Sequence, residues 1–407
     1  MKKAYIHIGL EKTGTTSLQI FLRHNSDALE KNNLVYLGDE SKPYVHGIGH
    51  FPIVASFYDK CPNFVPLHKH RPSADVLDVL SQDAAHTDHD IILSCEHFSS
   101  RLSRAQNIKA FHDALLERQI QIICYLRRQD EQAISHYSTL VKGGRTDPFT
   151  VEDVTPENGY FNYRKILETW TEEFGRENMI IREYARRSFV GNDICMDFLD
   201  ILGADPEDFS FIEDQNISLD SRQVEVLRSV NKHLTSFSWG EWDVDMEKFE
   251  QSQRVREALS PVLPKGAHIG ALMQGDTRQE VMDRFKTDNL EIVGSCAGTD
   301  FIRDWHNCVA SSGSPSPQDA LTVADFEKAV AATGFELEAR ISENDRLRTE
   351  NHHLRAENDH LRAENDHLRA ERDAATKAFD KLDAENKKPL TSKLFKALKN
   401  RLKSVKR

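Results

Sequence analysis

The sequence predicts an α/β fold, a parallel sheet flanked by helices, followed by a long C-terminal coiled-coil helix. Three observations predict it. The β-formers Tyr5, Ile6 and Ile8 run into a turn carrying Gly9 and Gly14, and then into the hydroxyl-rich helix start Thr15, Thr16 and Ser17. Two further apolar runs, 90–95 and 122–126, end the same way, in a polar helix start. Beyond residue 340 the apolar period changes to a strict seven.

The first unit, residues 4–18, is a P-loop-type strand, turn and helix. Its glycines let the backbone turn tightly and present N–H groups, and the helix N-terminus that follows attracts anions. A Walker loop needs Lys and then Ser or Thr directly after its second Gly. Here Thr15 follows Gly14, and the lysine, Lys12, precedes it. No Mg²⁺-binding Asp is evident at the end of a later strand. The loop is built to hold a phosphate without the usual Mg-nucleotide machinery.

The pattern Lys12-Thr13-Gly14-Thr15-Thr16-Ser17 resembles the 5′-phosphosulfate loop of sulfotransferases that use 3′-phosphoadenosine 5′-phosphosulfate (PAPS). A second stretch, 122–137, strengthens the likeness, because that family clamps the nucleotide 3′-phosphate with an Arg at a strand end and a Ser eight positions later. Arg127 and Ser135 have that spacing, and a guanidinium fork suits a phosphate dianion. Arg127 and Arg128 also oppose the dipole of the helix they start unless an anion lies near them. The resemblance implies PAPS as co-substrate, 3′-phosphoadenosine 5′-phosphate as product, and no metal.

Between the two motifs, Glu96 and His97 open at the carboxyl end of the 90–95 strand, where α/β sheets bind ligands. Sulfuryl transfer needs an acceptor proton removed, positive partners for the sulfuryl oxygens, and neutralisation of the departing phosphate. Glu96 or His97 fits the first role, with Glu96 preferred. Lys12 and the amides of Gly14 to Ser17 fit the others. Lys142, in Lys142-Gly143-Gly144-Arg145, either reaches the substrate or caps a helix end. His46 and His50 lie in a loop-rich stretch suited to acceptor binding. Their i, i+4 spacing would suit a metal only on a helix, which Gly47 and Gly49 oppose.

Composition favours a cytoplasmic protein. The chain has 407 residues, 39% of them hydrophobic, enough for one large core with extensions. Its six cysteines are scattered without a Cys-x-x-Cys, a reduced-thiol pattern with no disulfide framework or zinc site. The N-terminal apolar run is broken by His7 and ends at Glu11, so it is read as a strand and not a signal peptide. No run of 18 apolar residues exists to span a membrane. The net charge of −12 makes nucleic acid a poor partner for the enzyme part.

The catalytic region is expected over residues 1–310. Within it, Asn162-Tyr163-Arg164, Asn216 to Asp220, and Arg284 to Asn289 add weaker likeness to bacterial, carbohydrate-modifying sulfotransferases. Trp170 and Phe174, at helical spacing, read as core. The Gly-rich segment that closes over the cofactor in that family is not evident.

A Ser/Pro linker follows at 311–318, a short helical segment at 319–335, and a coiled coil at 336–386. Leu347, Leu354, Leu361 and Leu368 take the d positions, and Asn344, Asn351, Asn358 and Asn365 fall at a. Asn at a favours a parallel, in-register homodimer through 343–371, supported by Glu at g facing Arg at e of the partner chain. The tail, 387–407, holds nine Lys/Arg and no acid, with Leu394, Phe395, Leu398, Leu402 and Val405 on one helical face. Such a helix suits the anionic inner surface of a membrane, where the protein would sit peripherally; a basic tail that binds polyanions weakly is the alternative. Membrane docking in turn suits a glycan or glycolipid acceptor assembled on a lipid carrier. Two other readings stay open: a nucleotide-dependent kinase of the same fold, and a coiled-coil scaffold whose head binds nucleotide without chemistry.

Overall fold

The computed structural model describes residues 2–62, 69–211, 219–232, 252, 256, 269–273, 275–296, 298–306, 346, 347, 350, 396 and 397. The chain divides into two compact units, Met1–Ala331 and Ala332–Arg407. The linker, the Asn and Leu rows of the coiled coil apart from Leu347, and the basic tail apart from Lys396 and Ala397 lie outside the described residues.

Five strands form one parallel sheet: β1 (Lys3–His7), β2 (Leu34–Tyr36), β3 (Asp90–Ser94), β4 (Gln119–Leu126) and β5 (Met179–Glu183), in the order β2-β3-β1-β4-β5. Alternation along the strands explains why both faces must be covered. Ile6, Ile91, Leu93, Ile122 and Cys124 enter one apolar cluster, while Tyr5, Ile92, Ile123 and Tyr125 enter another. The first face is closed by α4 (Ser73–His86), α6 (Ala105–Asp113) and α8 (Tyr163–Phe174) through Leu80, Phe111 and Trp170. The second is closed by α1 (Thr15–His24) and α9 (Ile194–Leu202) through Leu18, Phe21 and Phe198. Trp170 and Phe174 stack at 5.5 Å within the core, as their spacing suggests. Cys95 and Cys124 are fully buried and act as small apolar residues.

The strand order positions the site. β1 is central, with β3 and β4 on either side, and the chain crosses over it between β3 and β4. Parallel strands point their carboxyl ends the same way. The loops after β1, β3 and β4 therefore meet at one edge, the switch point where such sheets bind ligands. Segments far apart in the chain become neighbours there: Leu10 N–H donates to Tyr125 O (3.1 Å), and Ser99 N–H to Ile8 O (3.3 Å).

The core also buries histidines. His7 is fully enclosed, its Nδ1 2.9 Å from Ser94 Oγ, and burial pulls its pKa from 6.5 to about 3. His50 is equally enclosed, and burial pulls it to about 4. Each is neutral in the native state and free to protonate once unfolded. Below pH 6.5 the unfolded chain binds protons that the native chain refuses, so stability is level above that pH and falls as pH drops toward 4. From pH 6.5 to about 5 each histidine should remove on the order of 2 kcal/mol, read as a fall in the urea midpoint. Equal midpoints at both pH values would contradict this account.

Candidate functional site

The phosphate-loop turn is shaped by its backbone. Gly14 caps α1 with φ 72°, and a Cβ there would meet Ile194 and the Tyr184 ring at 3.1–3.2 Å. Only glycine fits without strain. Gly9, at φ 105°, lets the loop pass 3.1 Å from Glu96 Cα at its would-be Cβ, so the loop is laid directly on the end of β3. No side chain caps α1 and no acid occupies its first turn, which leaves the helix dipole uncompensated by the protein at its N-terminus.

α7 (Gln129–Lys142) carries the second motif. Lys12, Arg127, Ser135 and Lys142 line one cavity of about 380 Å³, together with Ile269, Gly270 and Arg278. The two motifs are therefore on one face and share one space. Arg127 is fixed on several sides: its Nη1 donates to Lys12 O (3.2 Å), its Nε faces Glu131 (3.4 Å), and its guanidinium lies 5.5 Å from the Tyr184 ring centre. Its own carbonyl accepts from Tyr163 OH at 2.8 Å. Burial lowers the Lys12 pKa, and neighbouring Lys142 lowers it further, against Glu11 and Glu96. Burial lowers Lys142 too. Two partly desolvated ammonium groups beside the guanidiniums of Arg127 and Arg278, set against the carboxylate of Glu131, make a cavity that favours an anion.

At the end of β3, Glu96 accepts from Gln19 Nε2 at 3.1 Å, and Gln19 is itself buried against Ser94. His97 starts α5 (His97–Arg101) beside a cluster that sequence reasoning missed. Glu11 accepts from Ser100 Oγ (2.6 Å) and from Arg101, with His97 Nδ1 3.4 Å away. Burial works to raise the Glu11 pKa, but His97, Arg101 and Ser100 outweigh it and hold the carboxyl well below its usual range. Arg101 also contacts His97 Nδ1 more closely than Glu11 does. Nδ1 of His97 is thus engaged from two sides, by the Arg101 guanidinium and the Glu11 carboxylate. Glu11 had been legible only as the end of an apolar run. Its function-bearing contacts come from α5, and no local pattern encodes them.

Several expectations need correction. Thr13 is fully buried and its hydroxyl donates to Leu10 O at 2.6 Å, so it braces the loop and offers no hydroxyl to a ligand. His50 is enclosed, with Nε2 on Leu37 O (2.8 Å) and Nδ1 accepting from Ser94 N–H (3.1 Å), which leaves no ring nitrogen for an acceptor. His46 and Gly49 form a β-bridge, so the spacing to His50 does not lie on one helix face. His46 itself is tied to Glu40 at 2.8 Å, and Phe51 stands between it and His97. The anion near Arg127 and Arg128 is partly the protein's own. Asp130 binds Arg128, Glu131 faces Arg127, and both acids lie in the first turn of α7.

The remaining expected residues sit as follows. Thr15 is buried, Thr16 exposed and Ser17 half-buried in the first turn of α1. Lys142 ends α7, capped by Gly143, and lines the cavity as well, so the two readings of that segment coexist. The weaker motifs turn out to be braces. Asn289 pairs with Gln129 in a buried amide contact (2.8 Å), and Asn162 caps α8 through Lys165 N–H. Among the described residues no group of three or more His, Cys, Asp or Glu is arranged to hold a metal, and no helix is long and apolar enough to cross a membrane.

Fold and site together define a parallel α/β protein with a cation-lined cavity at its switch point. No protein-family model matches the sequence. The chain is 28% identical over 210 residues to an uncharacterized protein of Archaeoglobus fulgidus, a match that takes in 51% of this chain. It spans about half (54%) of that relative's length. Among solved structures it is similar to a sulfotransferase from Alicyclobacillus acidocaldarius, at 16% identity and a TM-score of 0.35, over 57% of this chain and 93% of that one. So remote a likeness carries no functional weight; the chain's own residues must.

Proposed function

We propose that the chain is a PAPS-dependent sulfotransferase, moving a sulfuryl group to a hydroxyl or amine of an acceptor, a glycan or glycolipid. The observation that carries this reading is the shared cavity of Lys12, Arg127 and Ser135. A doubly phosphorylated adenosine needs cationic partners at two ends, and one cavity supplies both. PAPS would bring the activated sulfuryl group and a phosphate leaving group. Lys12 and the first-turn amides of α1 would neutralise charge as it develops on that phosphate, while Arg127 and Ser135 hold the 3′-phosphate. Glu96 would take the acceptor proton, with His97, whose Nδ1 is engaged by Glu11 and Arg101, as the other candidate. Gln19 holds the Glu96 carboxylate by one hydrogen bond. Ile269, Gly270 and Arg278 would border the bound nucleotide.

The test is incubation with radiolabelled PAPS and fractionated cell glycans and lipids. Label in a glycan or glycolipid fraction is expected. Turnover of ATP with none of PAPS would instead favour the kinase, against which the position of Lys12 speaks. Unchanged biological output on replacing Lys12 or Glu96 separately would favour the scaffold.

The same reading takes the heptads at 343–371 as a parallel homodimer seam and 387–407 as an anchor for an anionic membrane surface. Replacing Leu354 and Leu361 together by Asp removes two of four d-layer leucines and should convert dimer mass to monomer mass by light scattering. A dimer that survives would show that the seam does not hold the chains together.

A further inference from the structure

A second cavity, of about 300 Å³, lies against the opposite side of α7 from the nucleotide cavity, between that helix and the loop at 149–161. The helix is a thin partition. Ser135, Ser138 and Lys142 face one space, and Ala133, His136 and Tyr137 face the other. At the partition, the His136 ring lies 4.1 Å from that of Tyr160, and Gln132 Nε2 donates both to Tyr160 OH (3.2 Å) and to Glu11 O (2.8 Å). His136 is near enough to the reacting region to feel the charges of Glu11, Lys12 and Arg101. A molecule in this cavity is one layer of side chains from the phosphate loop.

Its lining has a definite chemistry. Phe149 and Phe161 give apolar faces, while Thr150 and Asn158 give hydroxyl and amide partners. Arg145 supplies charge. Its Nε is buried with no hydrogen-bond partner, and among the described residues its side chain forms no ion pair. It rests 5.7 Å from the Tyr137 ring centre, a contact that orients the guanidinium without neutralising it. Its backbone is pinned, N–H to Leu140 O (2.9 Å) and O to Asn231 Nδ2 (3.0 Å). Glu152 and Asp153 also line the cavity, and both are exposed to solvent, which screens them. A buried N–H donor without a partner is costly unless something fills the space.

We propose that this cavity is an acceptor subsite for a unit next to the one that reacts, since α7 separates it from Lys12, and that it takes an anionic, hydroxyl-rich unit of the hexuronate kind, whose carboxylate pairs with Arg145. The volume, at the small end of ligand pockets, suits a single sugar ring. This inference rests on the sulfuryl-transfer reading for the word acceptor, but not for the binding itself.

The experiment is calorimetric titration of the full chain with D-glucuronate and, separately, with D-glucose and adenosine 3′,5′-bisphosphate. Glucuronate should bind and glucose should bind at least about tenfold more weakly, the size of one lost charge-assisted contact. Arg145→Gln should abolish that preference, Arg145→Lys should keep part of it, and neither should change the affinity for the bisphosphate. Equal binding of both sugars, binding of neither, or a preference that survives in Arg145→Gln overturns the subsite. A chain that binds glucuronate through Arg145 but not the bisphosphate keeps the subsite and removes the sulfuryl-transfer reading.

Discussion

Replacing Lys12 by methionine should lower the rate of sulfuryl transfer from PAPS by about 10²–10³-fold, the usual cost of removing one preorganised charge partner. Methionine keeps most of the apolar stem, so the loop should fold as before. The effect belongs in kcat more than in KM, because Arg127, Ser135 and the α1 amides remain to bind the nucleotide. The lowered pKa of Lys12 reflects burial and the adjacent Lys142. Such an ammonium gains most when an anion arrives, and that gain would be largest as negative charge builds on the departing phosphate. A Lys12→Met enzyme with unchanged kcat would remove the lysine from the mechanism.

The second large effect separates Glu96 from His97. Glu96→Gln should cost about 10²–10⁴-fold in kcat, the range for loss of a general base. The amide can still accept from Gln19, so the geometry is kept and only the proton acceptor is lost. His97→Gln should cost much less, because on this reading the imidazole does not take the proton. Steady-state kinetics at neutral pH with each variant settle the ranking. A larger loss for His97→Gln would mean that the imidazole is itself the base. Glu11 would then be its orienting carboxylate.

Much of this architecture was legible because it is local. The strand at β1, the turn at Gly9 and Gly14, and the hydroxyls that open α1 are adjacent in sequence, and their steric and dipolar logic needs no tertiary information. Arg127 and Ser135 were legible for the same reason, being eight residues apart across one strand-to-helix turn. What sequence could not supply was anything fixed by strand order. Glu11 gains its partners from α5 only because β3 lies beside β1, 86 residues away to His97. Ile269, Gly270 and Arg278 line the cavity beside Lys12 and Arg127, and no local pattern marks them for it. Local reading also misassigned side chains whose roles depend on burial. Thr13 looked like a ligand hydroxyl and is a loop brace, and His50 looked like an acceptor contact and is a core histidine. The two arginines that open α7 find carboxylates of their own in Asp130 and Glu131, partners that the dipole argument leaves out.

The central claim is that one adenosine bridges Lys12 and Arg127, and it is tested most directly by calorimetry on the intact chain. Adenosine 3′,5′-bisphosphate should bind at least about tenfold more tightly than adenosine 5′-phosphate, and Arg127→Ala should erase that difference while leaving the 5′-phosphate affinity nearly unchanged. Equal affinities for the two nucleotides, or a difference that persists without Arg127, would contradict the account.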